Sequence, residues 1–266
     1  RDLTSELVKL VQAMQEIKSE EDSRVNSYEI FVNQKQTRIR NSRGVDVTFS
    51  GFDCEIEVVT NSRKDDHEIE IYRDLRFSDK SAEKIIAEVR GMFHTGRQRL
   101  NAVPTRQNEH ADVLLSGDAV GSFFQYFAMH TNASYQYMGV AKTKIGEAIT
   151  GADADPLNIR LVPTLDGSAK NAPYDETGMP VAERVLFENG ICRSYWGSLQ
   201  HAHYIDMKDT TSMNNMVVEG GSKTLDELRS IPHIEITDFS AFDMDAVSGT
   251  CGGEIRLAYE SDGTTS

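Results

Sequence analysis

The sequence predicts an α+β fold: a helix-and-antiparallel-sheet N-terminal domain followed by a β-rich C-terminal domain. Three observations carry this reading. Leu3, Leu7, Leu10, Val11, Met14 and Ile17 recur at helical spacing. From Val25 to Phe77, apolar and polar residues alternate with a period of two, which describes antiparallel strands with one wet face. Past residue 110, short apolar runs end repeatedly at Gly, Asn or Pro.

The first pattern predicts a helix over 3–18, ended by the polar run Ser19-Glu20-Glu21-Asp22-Ser23. The alternation then places Tyr28, Ile30 and Val32 on one strand segment. Val45, Val47 and Phe49, then Ile56 and Val58, then Ile69 and Ile71 continue it. Asn41-Ser42-Arg43-Gly44 is a turn between two of these segments. A second helix is expected over about 79–93, capped by Ser78 or Asp79, with Ile85, Ile86, Val89, Met92 and Phe93 as its buried stripe. The basic residues Arg97, Arg99 and Arg106, interrupted by Pro104, mark a boundary between a partial N-terminal domain at 1–107 and most of a C-terminal domain at 108–266.

In the second domain, 112–115 reads as a strand that runs through Ser116-Gly117 into a helix over 118–130. A strand at 159–162 stops at Pro163. Residues 185–192 form a hairpin, because Asn189-Gly190 supplies the positive φ angles of a type I′ turn. A short helix at 225–229 follows Gly220-Gly221, and a strand at 254–259 runs into a turn at Ser261-Asp262-Gly263. That turn has no return strand and the chain has no starting Met, so a longer protein is expected, with part of its first domain and its tail outside this sequence.

Composition narrows the partners. The 266 residues carry 42 acidic and 28 basic side chains, a formal charge of −14. Nucleic acid and polybasic membrane contacts are both disfavoured, since each needs clustered Lys and Arg. There is no run of about 18 apolar residues and no apolar signal core after Arg1-Asp2-Leu3-Thr4. Cys54, Cys192 and Cys251 are odd in number and far apart, which points to buried thiols and a reducing, cytoplasmic setting.

Candidates for chemistry are few. On a strand, His201 and His203 would face one way and supply two zinc ligands, with Asp206 or Asp209 near in sequence; a solvated or structural pair is the competing reading. Asp65-Asp66-His67-Glu68 is a solvated charge run. Asn108-Glu109-His110 resembles half of a metalloprotease helix, but no second His follows at the needed spacing. Neither a G-x-S-x-G elbow nor a nucleotide-binding glycine loop occurs. The aromatic run Phe123, Phe124, Tyr126 and Phe127 sits on a predicted helix as core.

Four segments together resemble the TldD/PmbA family, also described as candidate modulators of DNA gyrase. Asn41-Ser42-Arg43-Gly44 is similar to that family's N-S-x-G turn. Asp175 through Pro180 resembles its D-x-x-G-x-P segment, and Leu186 through Gly190 follows at the expected interval as its L-x-E-N-G hairpin. Asn215 through Gly221, with Thr224 through Leu228, resembles its N-x-x-x-x-G loop and short helix.

Active members are metallopeptidases with H-E-x-x-x-H on a helix after a short apolar strand. The resemblance implies that the two His bind zinc and that the Glu is general base on the metal-bound water. Here the strand Val113-Leu114-Leu115 precedes Gly117-Asp118-Ala119-Val120-Gly121-Ser122. Gly117 and Ser122 stand where the His ligands belong, and Asp118 stands for the Glu. Glycine supplies no ligand and a serine hydroxyl is a poor one for zinc. A third family ligand is a Cys near the C-terminus, and Cys251-Gly252-Gly253 reads as an incidental match upstream of that region.

The family also pairs active chains with homologous chains that lack the motif. The resemblance therefore implies a non-catalytic partner or scaffold in a peptide-processing assembly, without a cofactor. It would form a homo- or heterodimer with a homologous TldD/PmbA-type chain, and unfolded peptide would bind as an extended strand. Two alternatives stand beside it. One is an active metallopeptidase with a displaced zinc site at His201, His203 and Asp118. The other is a protein-binding module without a proteolytic role.

Overall fold

The computed structural model describes residues 2–104 and 110–263. The internal contacts divide the chain into two units. The first is Arg1–Thr105 with Thr164–Ala172, and the second is Arg106–Pro163 with Pro173–Ser266.

In the first unit, α1 (Leu3–Gln15) starts at Asp2, whose carboxylate accepts from the Thr4 N–H at 3.1 Å. The helix stops three residues short of the predicted 3–18 end, and Ile17 is buried from the following turn. Three antiparallel strands follow in the order β1-β2-β3: β1 (Ser23–Arg40), β2 (Asp46–Lys64) and β3 (His67–Phe77). The segments at Val47–Phe49 and Ile56–Val58 are one long strand, although its more buried positions switch from odd to even across Gly51–Asp53. Asp65-Asp66 makes the tight β2–β3 turn, with Asp65 at φ 53°.

The second helix of this unit, α2 (Ala82–Asn101), is capped by Ser81, not by Ser78 or Asp79. The Ser81 hydroxyl is the one that reaches a first-turn N–H, that of Lys84, at 3.4 Å. It also runs well past residue 93. Gly96 lets the helix lie against Ser62 of β2, and Arg97 ties it to Glu20 and to Asp22. Leu10, Met14, Ile56, Val58, Ile85 and Phe93 form the core between the helices and one face of the sheet.

The second unit begins with β4 (Val113–Leu115), α3 (Asp118–Met129) and α4 (Ala133–Met138). It continues with β5 (Ile159–Val162), β6 (Arg184–Glu188), β7 (Ile191–Cys192), α5 (Leu199–Tyr204) and β8 (Asn215–Val218). It ends with α6 (Leu225–Arg229), β9 (His233–Met244) and β10 (Cys251–Ser261). One sheet has the order β10-β9-β4, with β4 parallel to β9 and β10 antiparallel to it. The other is antiparallel, β7-β6-β5-β8. Its core joins Ile159, Leu161, Leu186, Phe187 and Trp196 to Ala128 of α3. The α+β class predicted from the sequence holds in both units. The sequence reading of Asn108-Glu109 falls outside the described residues, as does the tail from Thr264.

Candidate functional site

The strand-to-helix step at β4 and α3 is where the metallopeptidase resemblance places its motif, and the predicted strand and helix are both present. Ser116 leaves β4 with its N–H donated to the Ile236 carbonyl at 3.0 Å. Its hydroxyl donates to Glu235 Oε1 at 2.7 Å. Arg229 grips the same carboxylate with two bonds, Nε to Oε2 at 2.9 Å and a terminal nitrogen to Oε1 at 2.7 Å. Glu235 is 8% exposed. The Arg229 bonds, with the smaller contribution of Ser116, hold its carboxyl below the usual Glu range against the opposing pull of burial.

Gly117 follows as the N-cap of α3, at φ 68° and ψ −148°. A Cβ there would stand 3.2 Å from the Thr237 carbonyl oxygen. Asp118 opens the helix in an exposed position, where a carboxylate suits the helix dipole. Ser122 is exposed one turn further on. The slot thus offers one carboxylate, one hydroxyl and no imidazole. This donor set does not fit zinc.

The alternative ligands do not converge either. His201 and His203 lie on α5, not on a strand. The Ser198 hydroxyl caps that segment by accepting the His201 N–H at 3.4 Å, and it lies 3.0 Å from His201 Nδ1. Two residues along a helix are about 200° apart, so the two rings leave on opposite sides. His201 instead sits among Tyr137 and Tyr204, with ring centroids 6.0 Å away in each case. Asp209 pairs with Arg184 at 2.8 Å, and Asp206 lies just past the Ile205 cap of α5 at φ 56°. Among the described residues no group of three or more His, Cys, Asp or Glu is placed to hold a metal ion.

Cys251 is exposed at the start of β10, while Cys54 and Cys192 are buried thiols. Burial pushes the Cys192 thiol up to about 11. Cys251 lies on the rim of an apolar cavity of about 540 Å³ between α3 and the β10-β9-β4 sheet. Val120, Phe123, Phe124, Phe239 and Phe242 contribute to its wall. Phe124 and Phe127 pack on the core as expected, whereas Phe123 joins Phe124 only in lining this cavity and Tyr126 packs on His130.

The segments that carry the family resemblance have a structural explanation. Asp175 Oδ1 accepts from Thr177 N–H, Thr177 hydroxyl and Met179 N–H at 2.9, 2.7 and 2.9 Å, with Gly178 at φ 84°. Asn189 and Gly190, at φ 51° and 77°, make the predicted hairpin turn. Thr224 and Glu227 cap α6 reciprocally. The Ser116–Glu235–Arg229 network went unread in the sequence. Its one local signal is a charged residue at an inward position of the run Ile234-Glu235-Ile236.

Residues 108–264 match the family described as PmbA/TldA metallopeptidase C-terminal domain. The crystal structure of TldE from Thermococcus kodakarensis is similar over 98% of this chain and 62% of that one, at 18% identity and TM-score 0.76. A candidate modulator of DNA gyrase from Thermotoga maritima is similar over 99% and 64%, at 17% identity and TM-score 0.74. One from Bacteroides thetaiotaomicron is similar over 98% and 62%, at 15% identity and TM-score 0.67. At such identities these likenesses establish the fold alone. The chain spans 62–64% of the length of these structures. No curated protein matches the sequence. With the family match covering more than half of the residues, and with the strand, helix and turns of the resemblance in place, this chain belongs to the PmbA/TldA metallopeptidase family.

Proposed function

We propose that this chain is a member whose metal slot is degenerate and which serves as the non-catalytic partner or scaffold of a peptide-processing assembly. Its companion would be a homologous TldD/PmbA-type chain, in a homo- or heterodimer. The observation that carries the reading is Gly117. A ligand side chain is missing there, and the backbone stands at φ 68°, a region that L side chains rarely adopt. Restoring an imidazole would need a new backbone conformation as well as a new residue. Ser122 and Asp118 add no soft donor. Unfolded peptide would bind through backbone pairing to a strand edge, which does not need the lost ligands.

A cytoplasmic location fits three cysteines that form no disulfide. No helix among the described residues is long and apolar enough to cross a membrane. The charge of −14 supports a protein or peptide partner over nucleic acid. Zinc analysis of the purified protein, paired with a peptide-cleavage assay, tests the proposal. The expected result is no stoichiometric zinc and no cleavage. Stoichiometric zinc with cleavage abolished by Asp118→Asn would overturn it.

A further inference from the structure

The strands β9 and β10 outrun the sheet they belong to. β4 pairs with β9 only from Val113↔Ile234 to Leu115↔Ile236. Beyond Ile236 the two strands continue as a ribbon of two as far as Met244↔Cys251. Such a ribbon is marginal in water by itself. Its root is irregular, with register shifts at Glu254/Ile255, Ile255/Leu257 and Leu257/Ala258, and bulges of this kind bend a strand and disrupt its ladder. Ribbon and α3 together enclose the apolar cavity, so the contacts at the far end, over residues 245–250, bear on whether that cavity stays closed.

Two contacts hold that end. Lys142 Nζ donates to the Ser248 carbonyl at 2.9 Å and stands 5.7 Å from the centre of the Tyr126 ring. Gly249 lies so close to Tyr126 that a Cβ there would stand 2.8 Å from the phenol oxygen. Both contacts lead to one buried ring. Tyr126 packs edge-on against His130 with 4.5 Å between centroids, and the Lys142 N–H donates to His130 Nδ1 at 3.3 Å. His130 is fully buried, with the Tyr135 ring of α4 6.0 Å away. The bond from Lys142 fixes the tautomer. A ring nitrogen that accepts carries no proton, so the proton of the neutral imidazole is on Nε2. A second proton has only Nδ1 to go to, where it would meet the Lys142 N–H donor against donor. The groups facing the ring are Tyr126, Tyr135 and Lys142, with no carboxylate among the described residues to offset a charge, and the Lys142 ammonium would repel an imidazolium.

We propose that His130 is a proton-operated release for the β9–β10 ribbon: protonation of its ring expels Lys142, frees the 245–250 turn from α3 and opens the apolar cavity. The opened state takes the proton near the ordinary histidine value of about 6.5 and the closed state refuses it, so opening gains as pH falls below that value. Asp245, in the turn itself, keeps its charge over this range, because the Ser248 and Val247 N–H groups hold its carboxyl below the usual Asp range. The release does not depend on the lost metal ligands or on the reading of this chain as an assembly partner.

Amide hydrogen exchange of the 266-residue chain tests it, with rates corrected for the intrinsic effect of pH. The probes are the Asp245 N–H, bonded to the Thr250 carbonyl, and the Gly249 N–H, bonded to the Asp245 carbonyl. The expected result is a rise in opening at both sites of about tenfold between pH values of about 7 and 5. The Cys192 N–H, bonded to the Glu147 carbonyl in the core of the same unit, should stay more protected than either at both ends of the range. His130→Asn should remove most of the pH dependence. Lys142→Met keeps the backbone bond to His130 but loses the anchor on Ser248, and should open the turn already at neutral pH. Turn amides equally protected at both pH values, a pH dependence that survives His130→Asn, or wild-type protection in Lys142→Met would overturn the proposal. So would a core amide that exchanges as fast as the turn, since the whole unit would then be unfolding. Zinc content and cleavage play no part in the readout, so this failure is distinct from failure of the pseudo-peptidase reading.

Discussion

Ser116 and Glu235 are 119 positions apart in the chain and 2.7 Å apart in space, and their hydrogen bond closes the step from β4 into α3. Arg229 completes the contact from α6. The two partners of this ion pair are unequally buried, with side-chain exposures of 44% for Arg229 and 10% for Glu235. Removing Arg229 strands a buried carboxylate, whereas removing Glu235 leaves a guanidinium that reaches water. Arg229→Ala should therefore cost more stability than Glu235→Ala. Urea unfolding of both variants checks the order, and equal midpoints would refute the burial argument.

The same carboxylate sets an acid limit. Its folded-state pKa is depressed, chiefly by Arg229. The contribution to stability is thus complete above the ordinary Glu value of about 4.3 and is lost as pH falls through the lower folded value. Wild type should lose stability below that point more steeply than Glu235→Gln, as read from urea midpoints across the acid range.

Gly117 supports a prediction about backbone. At φ 68°, with a would-be Cβ 3.2 Å from the Thr237 carbonyl, Gly117→Ala meets both a conformational and a steric cost. The expected loss is about 1–2 kcal/mol. Gly121→Ala, in the same helix with open space around it, should be neutral or stabilising. A Gly117→Ala variant as stable as wild type would remove the support for a slot closed by its backbone.

These residues also show what the sequence could reveal. The N-terminal strands were legible because one wet face imposes strict alternation, and the Asn189-Gly190 turn because few residue pairs adopt its φ angles. His201 and His203 would share a face only on a strand, and the segment is a helix. A six-residue helix shows no periodicity, and its cap, Ser198, is a better guide than the pattern inside it. The strand β9 went unread because His233, Glu235 and Asp238 are buried in it and break the apolar rhythm. Gly117 is visible as a missing ligand, but a glycine letter does not disclose its φ. The Ser116–Glu235 contact obeys no local spacing rule.

Two glycines of α2 should respond with opposite sign. A Cβ on Gly96 would fall inside contact distance of the Ser62 hydroxyl and 2.8 Å from Ser62 Cβ, while Gly91 has nothing within 4 Å. Gly91→Ala removes a poor helix former from an exposed site and should stabilise by about 0.5–1 kcal/mol. Gly96→Ala receives the same propensity gain but overpacks a buried contact, for a net loss of about 1 kcal/mol or more. Thermal unfolding of the two variants checks the pair. Stabilisation by both would mean that α2 and β2 can separate without cost.

His130 gives a pH dependence nearer neutrality. The ring is fully buried at the end of α3, with its Nδ1 accepting the Lys142 N–H at 3.3 Å and the Tyr126 ring 4.5 Å away. Its Nε2 has no hydrogen-bond partner among the described residues. Burial first, and the Lys142 charge second, hold its pKa below the ordinary histidine value. The sign follows from the proton count. Below the unfolded value of about 6.5 the unfolded chain takes a proton that the folded ring refuses, so stability falls as pH drops from there toward the folded pKa. Wild type should lose stability between pH values of about 7 and 5. His130→Asn, whose side-chain oxygen can still accept from Lys142, should be less stable at neutral pH because it leaves a void, yet flatter over that interval. Urea midpoints at the two ends of the range decide it. If wild type and variant have the same slope, the acid sensitivity in this window comes from other groups.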